Sequence, residues 1–250
     1  MALEELLADP RIWRAAEHYV ERSGRSTGHP ALDALLPQSG WPADTLVELL
    51  PRLPGRPAGN TLPRGIGVLS LLLPTLRACT AAGQRVALIE PPGMLHAPAL
   101  QAAGVATDKV LVVDSRHAAS ARKPGPGNRP GNGPGDAPGD ALWACEQILA
   151  SAACALVCMW HRSPLSVSRL RRLKLACARG HSLGILVRPA VAQTAASPAA
   201  LRLGLKPVSS RLGDQRLEVA LLRAEGSWRQ GRCEITLWAG PASAQTLRGE

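Results

Sequence analysis

Arg64-Gly65-Ile66-Gly67-Val68-Leu69-Ser70-Leu71 lies between two apolar segments, Thr45-Leu46-Val47-Glu48-Leu49-Leu50 before it and the run Ile66 to Leu76 that it opens. The first is short and rich in aliphatic residues, which reads as a strand. The second is long enough for a helix that Pro74 can kink. Pro51 to Pro63, with four Pro and two Gly, reads as a loop insertion joining them. Strand, glycine-bearing loop and helix in this order form the opening unit of an alternating α/β domain.

Working outward, the alternation continues. Arg85 to Glu90, Lys109 to Val113, Ala155 to Trp160 and Leu183 to Val187 read as strands; Ala97 to Ala103 (capped by Gly104), Ala141 to Ala150 and Val167 to Arg179 read as helices. The expectation is an α/β fold with a mostly parallel sheet flanked by helices. Leu217 to Arg223 and Arg232 to Trp238, separated by a segment with Gly226 and Gly231, predict a C-terminal antiparallel hairpin. Upstream, Ile12, Trp13 and Ala16 suggest a short N-terminal helical arm, and Pro30 to Leu36 a short helix ending near Gly40. The predicted organisation is an arm over 1–25, a core over 26–240 and a tail over 241–250. Pro/Gly-rich insertions interrupt the core at 51–65 and 115–140. The second contains KPGPGNRPGNGPGDAPGD, whose composition predicts a disordered surface loop.

With 250 residues, 46% of them apolar, the chain can bury one sizeable core. It has no Phe and one Tyr, so that core must be aliphatic, which suits a parallel sheet covered on both faces. The net charge of +10 is unevenly placed: residues 1–50 hold four basic and eight acidic side chains. From Arg162 to Arg232 there are fourteen Arg and Lys against Asp214, Glu218 and Glu225, giving either a patch for nucleic acid or acidic protein, or a solvated face. Six cysteines lack the spacing of a secreted scaffold, and Met1 to Leu7 is acidic, so a cytoplasmic location is expected. No uncharged apolar run reaches about 18 residues, and no membrane partner is expected.

Ser26-Thr27-Gly28-His29-Pro30-Ala31-Leu32-Asp33-Ala34-Leu35-Leu36 is followed by Gly40-Trp41-Pro42 and Leu46-Val47-Glu48-Leu49. This combination resembles the start of a RecA core: S/T-G, a small residue, L-D, a G-x-P turn, and a strand ending in a phosphate loop. With Asp9-Pro10-Arg11-Ile12-Trp13-Arg14 it is similar to the ImuA branch of the RecA/SulA-like group, over about residues 9 to 240. The resemblance implies a RecA-like fold and a role in SOS-induced translesion DNA synthesis. The partners it implies are the Y-family-polymerase-like protein ImuB, an error-prone polymerase subunit and RecA, with DNA as a further candidate.

A working phosphate loop reads G-x-x-x-x-G-K-[ST], because backbone N–H groups wrap the phosphates, Lys offsets their charge and the hydroxyl holds Mg²⁺. Here Gly65, Gly67 and Ser70 survive as a degenerate loop, but Val68 and Leu69 offer no cation where the Lys is needed. A RecA-type site also implies a carboxylate after the second strand, a metal-organising Asp and a phosphate-sensing Asn-Gln. This chain has Glu90 followed by Pro91-Pro92, then His161, then Arg188-Pro189 at those places. The expectation is therefore no catalytic residues, no cofactor and no metal. Asp33 reads as a turn-fixing carboxylate. Cys154 and Cys158, placed on one strand with thiols on the same face, read as buried small hydrophobes in preference to zinc ligands.

Val167 to Arg179 puts Leu170, Leu173 and Cys177 on one face and leaves Arg169, Arg171, Arg172 and Lys174 outward as a candidate contact for a partner or DNA. The reading is a non-catalytic accessory protein. The alternatives are a DNA-dependent ATPase with a divergent loop and a SulA-like division inhibitor.

Overall fold

The computed structural model describes residues 24–55, 62, 67–114, 140–208 and 214–238. Residues 1–23 of the arm predicted over 1–25, Gly65, most of both insertions and the tail lie outside the described residues. Eight strands form one sheet in the order β3-β2-β4-β5-β1-β6-β7-β8. They are β1 (Leu46–Pro51), β2 (Val86–Ile89), β3 (Val110–Val113), β4 (Leu156–Trp160), β5 (Leu183–Val187), β6 (Leu201–Val208), β7 (Gln215–Ala224) and β8 (Gly231–Trp238). β3 through β6 in that spatial order pair in parallel, whereas β6-β7 and β7-β8 are antiparallel. This is the α/β, RecA-like arrangement expected, with its terminal hairpin.

The helices are α1 (Pro30–Leu35), α2 (Val68–Ala81), α3 (Ala97–Ala102), α4 (Asp140–Ala150) and α5 (Val167–Arg179). The sheet separates two apolar clusters. Along β4, Leu156, Cys158 and Trp160 join the cluster under α1, α2 and α3, while Val157 and Met159 join the one under α4 and α5. Such two-sided burial is why β1, β4 and β5 read as nearly continuous apolar runs. Among the described residues no helix is long and apolar enough to cross a membrane.

Several boundaries differ from the sequence reading. β1 continues through Pro51, and α4 begins at Asp140, so each insertion is shorter by a residue at that end. α1 stops at Leu35 because Pro37 disfavours the helical conformation of Leu36, whose ψ is 139°. α2 runs on to Ala81 with Pro74 inside it, and Gly83 (φ 74°) follows its end. β6 was not anticipated. Leu201, Leu203 and Leu205 alternate there with Arg202, Gly204 and Lys206, a period-two pattern broken by glycine and proline. Pro207 is tolerated because it lies past the pairing with β1, which ends at Leu205, so its absent N–H falls on the less crowded side.

The lead-in segment docks on the middle of α2. Asp33 accepts hydrogen bonds from Ser26 Oγ (2.7 Å) and Thr27 N (2.9 Å), fixing the turn as its position suggested. Buried Trp41 donates through Nε1 to Thr75 Oγ1 (2.9 Å), which in turn donates to the Thr27 carbonyl (3.3 Å). His29 Nε2 donates to the Leu71 carbonyl (3.0 Å). Gly28 has a φ of 81°, and a Cβ there would run into the Pro74 ring. The S/T-G pair is thus the close-approach point between this segment and the helix.

Candidate functional site

In an open α/β sheet, ligands sit outside the carboxyl ends of the strands, where the chain leaves a strand for a helix. The corresponding place here is a crevice of about 340 Å³ formed by the start of α2, the loop Pro91 to Leu95 after β2, Trp160 at the end of β4, and Gln215. No charged side chain lines it among the described residues. Ser70 sits in the first turn of α2 on its wall.

Gly67 caps α2 in the left-handed conformation, φ 83°. A Cβ at Gly67 would collide with the side chain of Leu237 from β8. An aliphatic group therefore stands beside the helix N-terminus, where free N–H groups would otherwise attract phosphate oxygens. Val68 at the position of the missing Lys is buried against the core and brings no charge to the start of α2.

The other three substituted positions lie at strand ends in differing surroundings. Glu90 adopts φ 52° after β2, its N–H donating to the Val113 carbonyl (2.8 Å). His161 donates its backbone N–H to Val187 (2.9 Å), and burial, with smaller contributions from Arg188 and Arg169, pushes its imidazole down to about 4. Arg188 is only 3% exposed and donates from Nη1 to Glu48 Oε1 (2.7 Å). The opposite oxygen of Glu48 accepts from Arg202 Nε (2.7 Å), whose remaining nitrogens bond the carbonyls of Ala192 (2.6 Å) and Gln193 (3.2 Å). Arg188 thus faces the interior, and a buried carboxylate between two guanidiniums joins β1, β5 and β6.

The sequence reading missed this cluster. Its signal was present: a carboxylate inside the buried run Leu46 to Leu50 requires a partner, since an unpaired buried charge is very costly.

α5 has the boundaries and the inward face predicted, with Leu170, Leu173 and Cys177 buried. Ser166 caps it, its hydroxyl accepting from Arg169 N (3.4 Å). Its cations are not equivalent. Arg172 pairs with Glu146 of α4 (2.8 Å), and Lys174 with Glu225 just beyond β7 (2.7 Å). Arg169 is half-buried on the His161 side, and Arg171 is exposed. Much of the positive charge after Arg162 is likewise paired within the chain: Arg216 with Asp214 and Glu234, and Arg232 with Glu218.

Cys158 is fully buried, and burial raises its thiol well above the ordinary range. Cys154 lies before β4 and enters the cluster under α4 and α5, whereas Cys158 enters the opposite one. The expectation of a shared face is therefore wrong, because the chain turns before the strand begins. Comparison with protein-family models and with curated proteins gives no match.

Proposed function

We propose that this chain is a non-catalytic, RecA-like accessory protein of SOS-induced translesion DNA synthesis that acts by assembling with polymerase partners. The resemblance of its lead-in segment to the ImuA branch supplies the process. The observation that carries the non-catalytic half is the Gly67-Leu237 contact at the start of α2. A triphosphate there would have to displace an aliphatic side chain and would meet no lysine in return. What remains for function is surface, and the exposed face of α5 around Arg171 is the part best placed to meet an acidic partner or DNA.

The test is co-purification of the full chain with the Y-family-polymerase-like partner, the error-prone polymerase subunit and RecA. It is repeated with Arg171→Glu, Arg172→Glu and Lys174→Glu combined. At least one partner is expected to be retained by the wild type and lost on charge reversal. Retention of none would sink the assembly reading, and Mg²⁺-dependent ATP turnover stimulated by single-stranded DNA would sink the non-catalytic one.

A further inference from the structure

Alternation along the strands sends Leu203 and Leu205 of β6, Val219 and Leu221 of β7 and Ile235 of β8 into the cluster under α1, α2 and α3. The residues between them point to the other face of the sheet. There α4 packs on β2 and β4, α5 packs on β1 and β5, and the 3-10 turn Ala190–Thr194 meets β1 and accepts from Arg202. Past that turn the face opens to solvent: Gly204, Lys206, Glu218 and Ala220 are half-buried, and Arg232 and Glu234 are exposed.

Three features meet on this open face. Gly204 stands opposite Ala220, and with so little side chain between them they leave a cavity of about 160 Å³, lined by Arg52, Lys206 and Arg232 against a single carboxylate, Glu218. The cations are unequally matched. Arg232 takes Glu218 (3.8 Å), although Lys206 stands directly opposite that carboxylate in register, and Arg216 is held by Asp214 and Glu234 (3.1 Å each). Arg52 N donates to the Leu205 carbonyl (2.8 Å), which sets Arg52 beside Lys206, and neither side chain has an ion pair among the described residues. Two like charges side by side are unfavourable until an anion joins them. The third feature is aromatic. Trp238, next to the Leu237 that packs at Gly67, ends β8 on the open face and is more than half exposed; Trp228, beside Arg229 at the tip of the β7-β8 hairpin, is fully exposed.

We propose that the open face of β6, β7 and β8 binds a single-stranded nucleic acid. Its phosphates meet Arg52 and Lys206, and its unpaired bases stack on the two indoles, a cationic track joined to stacking platforms that accepts any base order. A duplex keeps the faces of its bases stacked on one another and cannot use the indoles. Carboxylates of an acidic protein match the charge but give Trp228 and Trp238 nothing to stack on. The face is separate from α5, and the inference does not depend on the accessory role proposed above.

The test is fluorescence anisotropy of a labelled oligothymidylate of about 15 nucleotides titrated with the full-length chain. Saturable micromolar binding that weakens as salt rises is expected. Arg52→Gln combined with Lys206→Gln should lower affinity about tenfold or more and flatten the log-log salt dependence by about 1.4, because two phosphate contacts are lost. Trp228→Ala and Trp238→Ala should each lower affinity about fivefold or more and leave the salt slope as it is. All four side chains are at least partly exposed, so the variants should fold, which circular dichroism checks. The proposal is overturned by the absence of saturable binding up to about 100 μM at about 50 mM salt, or by affinity unchanged in either the charge or the indole variants. A duplex of the same length binding as tightly overturns it as well, as does a poly-glutamate peptide that displaces the label as well as unlabelled oligothymidylate does. No protein partner takes part, so failure here leaves the assembly reading standing, and failure of that reading leaves this one.

Discussion

Glu48 and Glu146 each hold an arginine at nearly the same distance, 2.7 Å and 2.8 Å, yet the two pairs lie in opposite environments. Glu48 is fully buried between Arg188 and Arg202, inside a sheet covered on both faces. Glu146 meets an Arg172 side chain that is 64% exposed. The geometry of the contact does not set its weight; the surrounding medium does, through both the strength of the attraction and the cost of leaving one partner alone. Arg188 and Arg202 accordingly hold β1, β5 and β6 together, whereas Arg171 and Arg172 decorate α5.

The comparison breaks most visibly at Glu48. Glu48→Gln keeps the shape but leaves two guanidiniums facing each other without a counter-charge, and should cost about 3–5 kcal/mol. For a chain of this size that corresponds to a fall in Tm of roughly 6–20 °C, measured by differential scanning calorimetry. Replacing all three groups together, Glu48→Leu with Arg188→Met and Arg202→Met, should restore most of the loss, because a well-packed apolar set needs no counter-charge. If Glu48→Gln melts with the wild type, the buried cluster does not carry the weight assigned to it.

His161 extends the same interior electrostatics to pH. Its Nε2 and the Nε of Arg188 are both buried without hydrogen-bond partners among the described residues, and Arg169 adds positive charge from α5. The folded-state value, about 4, lies below the ordinary 6.5, so between those values the unfolded chain binds the proton more readily. The contribution of His161 to stability is therefore complete above about pH 6.5 and is lost as pH falls towards 4. Allowing for partial exposure, the loss should be about 2 kcal/mol. Denaturant titrations of wild type and His161→Asn across that range should converge as pH drops, the wild type losing more. Parallel curves would show that His161 titrates normally in the fold.

These contrasts also explain what was legible in the sequence. Strands and helices stood out wherever burial imposed a simple period, as in Leu156 to Trp160 or the Leu170, Leu173 and Cys177 face of α5. β6 did not, because Gly204 and Pro207 look like breakers unless its neighbours are known. The missing lysine of the loop was visible residue by residue; the obstruction by Leu237 was not, since it depends on where β8 returns some 170 positions later in the chain. The Glu48 cluster failed for the same reason. Glu48 pairs with residues 140 and 154 positions away, and only strand register brings Arg202 opposite it. Local pattern reports the face of an element, while ion pairing across a sheet is a property of topology.

At the surface the expected effect is smallest and tests the other half of the comparison. Glu146→Gln removes the carboxylate charge from a pair whose arginine can turn into water, so the stability change should stay below about 1 kcal/mol and shrink further in salt. Its consequence should appear in binding instead. With Glu146 neutral, Arg172 joins Arg171, which has no ion pair among the described residues, as a free cation on α5, and any acidic partner or DNA held by this face should bind more tightly at low ionic strength, mainly through faster association. A stability loss comparable with that of Glu48→Gln would mean that the α4-α5 pair is structural after all. In that case the outward charges of α5 would be fastening the helix to its neighbour, and the partner face would have to be sought elsewhere on the molecule.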